Sequence, residues 1–100
     1  MSEKERFMVT LDDKVRPRPE VVDTELDDQE TVLLHLESKT YYTLNLTGTR
    51  IWQGLKQGRT LAEISRRLQE EFDVEANRAE HSVLALVDEL SRQGLVQSLD

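Results

Sequence analysis

The chain of 100 residues contains no cysteine, which excludes disulfides, thiolate metal sites and a cysteine nucleophile. Histidine occurs twice, as His35 and His81, far apart and without the spacing of a metal site. No apolar run approaches the ~20 residues that cross a bilayer. The start, Met1 to Thr10, lacks the apolar core of a signal peptide, so a cytoplasmic protein without membrane contact is expected. Bases are scarce: 13 Lys and Arg stand against 20 Asp and Glu, a net charge of −7. That balance opposes nucleic-acid binding, where basic groups supply most of the affinity. Two prolines and four glycines fit an ordinary globular domain with one core.

Enzyme signatures are missing too. The sequence has no Gly-rich phosphate loop, H-E-x-x-H, G-x-S-x-G or calcium-loop spacing. Its carboxylates scatter over polar positions, where solvation explains them. No catalytic residue, metal or cofactor is assigned, and a binding module is expected.

What is present reads as strands first and helices after. Residues 1–15 are taken as an N-terminal tail or extra strand, with Phe7, Met8, Val9 and Leu11 as its apolar residues. Arg16-Pro-Arg-Pro19 is extended or turning, because each proline disfavours helix in the residue before it. Val21–Leu26 predicts a strand and Asp27 to Gln29 a turn. In the next strand, Thr31 to Leu36, alternation puts Val32, Leu34 and Leu36 on one face and Leu33 and His35 on the other. His35 is expected on the solvent side. A short loop then makes a hairpin with Tyr41–Leu44.

Three helices follow. The first runs from Thr47 to about Gln57, with Asn45 and Thr47 as capping side chains and Gly58 beyond its end. Thr60-Leu-Ala-Glu63 is a capping box, and Leu61, Ile64, Leu68 and Phe72 form one apolar face behind it. The third is expected over about Glu75 to Gln93, with a stripe of Ala76, Ala79, Val83, Leu86, Val87 and Leu90. Leu84 falls outside that stripe, either covering a second neighbour or standing exposed. Leu95-Val96 returns as a short extended piece. This order predicts an α+β, winged-helix-like domain over 16–100, a three-stranded antiparallel sheet followed by three helices.

The pattern Val32-Leu-Leu-His-Leu36, Tyr41-Tyr-x-Leu-Asn45, Thr47-Gly48, Ile51-Trp52 and Gly58-x-Thr60 resembles the PqqD-like proteins. Ile64, Leu68, Phe72-Asp-Val74, Leu90 and Gly94-Leu-Val96 continue the likeness, which covers about residues 16–97. The resemblance implies a RiPP recognition element, which binds the leader of a ribosomally made precursor peptide. The partner would be a biosynthetic enzyme: a radical SAM enzyme, or a leader peptidase and cyclase. The Tyr-Tyr-x-Leu-Asn and Gly-x-x-Ile-Trp pattern looks closer to lasso-type and generic members than to those of the pyrroloquinoline quinone pathway.

The resemblance also implies where the peptide docks: against the edge of the third strand and the third helix. The candidate peptide-binding residues are Thr40, Tyr41, Tyr42, Thr43 and Leu44, with Arg78, Ser82, Ala85, Leu86 and Glu89 on the helix. Strand addition gives main-chain hydrogen bonds whatever the peptide, and alternate side chains give selectivity. Tyr41 and Thr43 share one face and Tyr42 and Leu44 the other; alternation does not say which lines the groove. Tyr41 to Leu46 lacks the charge or proline that usually blunts an exposed edge. The competing reading, in which the tyrosines only pack the hairpin, stays open. So does a winged-helix DNA-binding regulator with Arg66 and Arg67 on the second helix, which the acidic balance disfavours.

Overall fold

The computed structural model describes residues 9–98. In chain order it contains β1 (Val15–Pro17), β2 (Val21–Leu26), β3 (Glu30–His35), β4 (Tyr41–Leu44), α1 (Leu46–Lys56), α2 (Leu61–Phe72), α3 (Ala76–Arg92) and β5 (Val96–Ser98). β2, β3 and β4 form an antiparallel sheet in that order, and β1 pairs with β5 in a separate two-stranded ribbon. The fold is the expected α+β arrangement of a three-stranded sheet followed by three helices.

The helices begin where side chains can satisfy their free amides. Asn45 Oδ1 accepts from Gly48 N at 2.9 Å and opens α1. Thr60 and Glu63 form the reciprocal capping box of α2, at 3.1 and 3.0 Å. Gly58 (φ 78) and Gly94 (φ 74) follow α1 and α3 in the left-handed conformation that glycine adopts without strain.

The core lies between the sheet and the helices. Leu33 and Leu44 from the sheet meet Ile51, Trp52 and Leu55 of α1, with α2 and α3 adding Leu61, Ile64, Leu68, Val83, Val87 and Leu90. Two of the expected α3 stripe positions differ. Ala76, the first residue of the helix, is exposed, and Leu86 is only half-buried. Leu84 packs against the core from outside the stripe, so α3 covers two neighbours.

The inward face of β3 corrects one expectation. Thr31, Leu33 and His35 are buried, whereas Val32 and Leu34 are half-buried and Leu36 is exposed. His35 is therefore inside and not on the solvent side. Its Nδ1 accepts from the amides of Glu37 and Ser38 at 3.2 and 3.3 Å, so the hairpin turn satisfies it. Thr31 is satisfied by Thr49 of α1, hydroxyl to hydroxyl at 2.9 Å. Those polar partners let the less apolar set face inward at little cost.

This buried hydroxyl pair has a measurable signature. Thr31→Val alone should destabilise by about 1–3 kcal/mol, because Thr49 is left without a partner. Thr31→Val with Thr49→Val should recover part of that loss. A thermal or urea double-mutant cycle showing simple additivity would contradict the pairing.

The segment expected as an N-terminal tail or extra strand lies against the helices as far as it is described. Asp13 O accepts from Leu61 N and Leu11 O from Ala62 N, and Val9 and Leu11 pack on the core. Phe7 and Met8 lie outside the described residues. In the Arg16 to Pro19 lead-in, expected to be extended or turning, Arg16 and Pro17 are extended in β1 and Pro19 lies in a turn; the pairing of β1 with β5 was not foreseen, since neither short strand carries an alternating pattern.

Candidate functional site

β4 is the edge of its sheet: β3 pairs with it on one side, and no strand among the described residues pairs on the other. Which backbone groups face that free edge follows from the register. His35 N donates to Thr40 O, and the register sets Leu33 opposite Tyr42 and Thr31 opposite Leu44. In an antiparallel ladder hydrogen-bonded pairs alternate, so Tyr42 and Leu44 direct their N–H and C=O to β3. Tyr41 and Thr43 direct theirs outward. Leu36 N donates to Glu20 O on the β2 side, which fits the same parity.

The side chains alternate the other way. Leu44 is buried and Tyr42 half-buried against the core, whereas Tyr41 is 71% exposed on the opposite face. Tyr42 and Leu44 thus share the face of β4 that turns to the core. Burial raises the Tyr42 phenol above the ordinary tyrosine range, and the nearby Glu89 carboxylate adds to that rise.

Between β4 and α3 runs a groove of about 590 Å³. One wall is Tyr42, Thr43, Leu44 and Asn45; the other is His81, Ser82, Ala85, Leu86 and Glu89; Thr47, Gly48 and Ile51 of α1 complete it. Gly48 matters for its shape. A Cβ there would lie 3.2 Å from Leu44 Cβ and Cδ2, so a side chain would crowd the end of β4 where it meets α1.

Of the ten candidate residues, the structure brings seven together in this groove: Tyr42, Thr43, Leu44, Ser82, Ala85, Leu86 and Glu89. Thr40 and Tyr41 do not line it. Arg78 lines a smaller neighbouring cleft of about 140 Å³, which shares Thr47 and Ser82 with the groove. Sequence reasoning missed Asn45, Thr47, Gly48, Ile51 and His81 as lining residues. For the first three the signal was present, since a helix start directly after an edge strand must stand beside it.

The arrangement can bind an extended chain but shows no reactive constellation. An open edge offers donors and acceptors of fixed spacing, beside a mixed wall of apolar and polar side chains. Among the described residues no group of three His, Asp or Glu could hold a metal ion. No helix among them is long and apolar enough to cross a membrane.

Behind the sheet a polar clamp holds β2 on α1. Trp52 Nε1 and Lys56 Nζ both donate to Asp23 Oδ2 at 2.7 Å. Burial pushes the Asp23 carboxyl up, yet these two donors outweigh it and hold the group below its ordinary value.

Comparison with known proteins gives a consistent picture. Residues 30–96 match the family model of coenzyme PQQ synthesis protein D. Two solved structures are similar over most of the chain. One is described as TbiB1 in complex with the TbiA(beta) leader peptide: 32% identity, TM-score 0.77, covering 81% of this chain and 93% of that one. The other is lasso peptide synthetase B1 complexed with the leader peptide, at 35% identity and TM-score 0.76, covering 83% and 96%. No curated protein matches the chain.

Proposed function

We propose that this chain, which belongs to the coenzyme PQQ synthesis protein D family, is a RiPP recognition element that binds the leader of a ribosomally made precursor peptide. The leader adds a strand to β4, pairing with the outward groups of Tyr41 and Thr43. Its alternate side chains enter the groove against α3. The protein carries no chemistry of its own: it holds the leader, in the cytoplasm, for a biosynthetic enzyme that acts on the rest of the precursor.

The observation that carries this reading is the groove between α3 and an uncharged strand edge that no strand among the described residues pairs with. The two similar structures, both of leader-peptide complexes, support it. They also favour a lasso-type setting, in which the enzyme served is a leader peptidase, over a radical SAM partner. The alternative of a DNA-binding regulator gains no support: Arg66 and Arg67 are exposed on α2, but the chain carries −7 overall.

The test is a titration of the full chain with synthetic leader from the neighbouring precursor gene, followed by amide chemical shifts. Saturable shifts should appear in residues 41–44 and along the groove side of α3, at 81–89. No saturation at millimolar leader, or shifts confined to α2, would overturn the proposal.

A further inference from the structure

The groove does not stop at the end of β4. The cleft of about 140 Å³ beside it is continuous with it through Thr47 and Ser82, which line both. The turn between α2 and α3 builds this cleft. α2 ends at Phe72, Asp73 turns the chain in the left-handed conformation (φ 53), and α3 begins at Ala76. The apolar walls are Leu68 and Phe72 of α2, Val74 of the turn and Ala79 of α3. Leu68 and Ala79 are buried and Phe72 is half-buried, but Val74 is 37% exposed at the mouth. Its size and lining suit one apolar side chain, held from water on several sides.

Charge distinguishes the two ends of α3. Glu89 stands near Tyr42, and Arg78 lies about three turns earlier on the helix. Glu89 is already engaged, by Arg92 at 3.3 Å and Gln93 at 3.0 Å. Arg78 is exposed, and among the described residues it makes no ion pair or hydrogen bond. In a chain that carries −7, a base without a carboxylate at the rim of an apolar cleft is left for a ligand. A guanidinium takes a carboxylate through two parallel hydrogen bonds, so the ligand group is an Asp or Glu side chain.

The reach agrees with a continuous peptide. At ~1.5 Å per residue of helix, Arg78 and Glu89 are ~16 Å apart along α3, which about five residues of extended chain span at ~3.3 Å each. A strand paired with Tyr41 and Thr43 comes to the cleft about two or three residues beyond Leu44.

Resting on the leader-binding reading above, we propose that this cleft is a second leader subsite. It takes one aliphatic or aromatic side chain of the leader, and Arg78 takes a carboxylate within two residues of that side chain. Pairing with the β4 edge accepts any sequence, so the cleft supplies selection for an apolar and acidic pair.

Arg78→Glu and Val74→Ser test this, because neither side chain is fully buried or bonded within the fold. Each variant, shown to be folded by thermal unfolding, is titrated with synthetic leader from the neighbouring precursor gene. A panel of leaders in which each Asp or Glu in turn becomes Lys is titrated beside it. Arg78→Glu should bind the natural leader about five- to tenfold more weakly, as attraction turns to repulsion, and Val74→Ser about threefold more weakly. One Lys-substituted leader should lose as much on the unmutated chain and regain it on Arg78→Glu. Arg66→Glu, on the exposed side of α2, should stay within about twofold, since long-range repulsion alone is screened. Natural leader bound within about twofold by Arg78→Glu, an equal loss in Arg66→Glu, or a panel with no rescued member overturns this inference alone. Absence of leader binding by the unmutated chain overturns both readings.

Discussion

Thr43→Pro should lower affinity for the leader by about ten- to a hundredfold while the domain stays folded. The reason is the parity of β4. The Thr43 amide points to the free edge, so the fold makes no use of it, and an edge position with a solvent-facing N–H is where a strand accepts proline. Its neighbour Tyr42 is already in an extended strand, as the residue before a proline must be. An incoming strand loses one donor and leaves one of its own carbonyls unpaired against the ring. A stranded acceptor of that kind costs about 1–3 kcal/mol, and ~1.4 kcal/mol is tenfold in affinity.

The companion variant Tyr42→Pro separates binding from folding. Tyr42 directs its amide to Leu33, so proline there breaks the β3–β4 ladder and should unfold or severely destabilise the domain. Circular dichroism and leader titration on the two variants form the measurement. If Thr43→Pro binds leader within twofold of the unmutated chain, the peptide does not pair with this edge. If Tyr42→Pro is the more stable of the two, the parity of β4 is reversed, with the Tyr42 amide on the free edge.

Trp52→Ala should be the most damaging single core truncation. Trp52 is 1% exposed, sits among Leu33, Leu44 and Leu55 in the core, and also donates to Asp23. Removing a buried tryptophan side chain costs about 3–5 kcal/mol, a large part of the ~5–15 kcal/mol that holds a domain together. For a domain of this size that is a fall in Tm of roughly 15–30 °C. Trp52→Phe keeps most of the apolar contact and loses only the indole donor, while Lys56 still serves Asp23. Its cost should be about 2–3 kcal/mol, the scale of one hydrogen bond to a charged group plus a small cavity. Thermal unfolding decides: a fall under 5 °C for Trp52→Ala would refute the central place given to this side chain, at the ~4–8 °C per kcal/mol expected here.

Much of this molecule could be read along the chain, because the signals are local. Asn45 before α1 and Thr60 with Glu63 before α2 mark helix starts through bonds made within three residues. β-Branched and aromatic residues in Val21–Leu26 and Tyr41–Leu44 mark strands, and apolar steps of three and four mark α2 and α3. The order of these elements, with the Tyr-Tyr-x-Leu-Asn and Ile-Trp pattern, was enough to indicate the family.

Other features depend on residues distant in sequence. Alternation defines two sets in each strand but carries no sign: His35 and Tyr42 face inward because α1, the hairpin turn and α3 supply their surroundings there. The two directions of the edge, with Tyr41 and Thr43 offering their backbone outward, are set by the β3–β4 register and not by anything in Tyr41–Leu44 itself. His81 and Ile51 line the groove only because α3 and α1 are brought beside β4, and β1 is a strand only because β5 returns to meet it. Period and caps are properties of a segment, so the three strands of the main sheet and the three helices, and their order, could be read along the chain. Face, edge and groove are relations between segments, and packing against partners decided them.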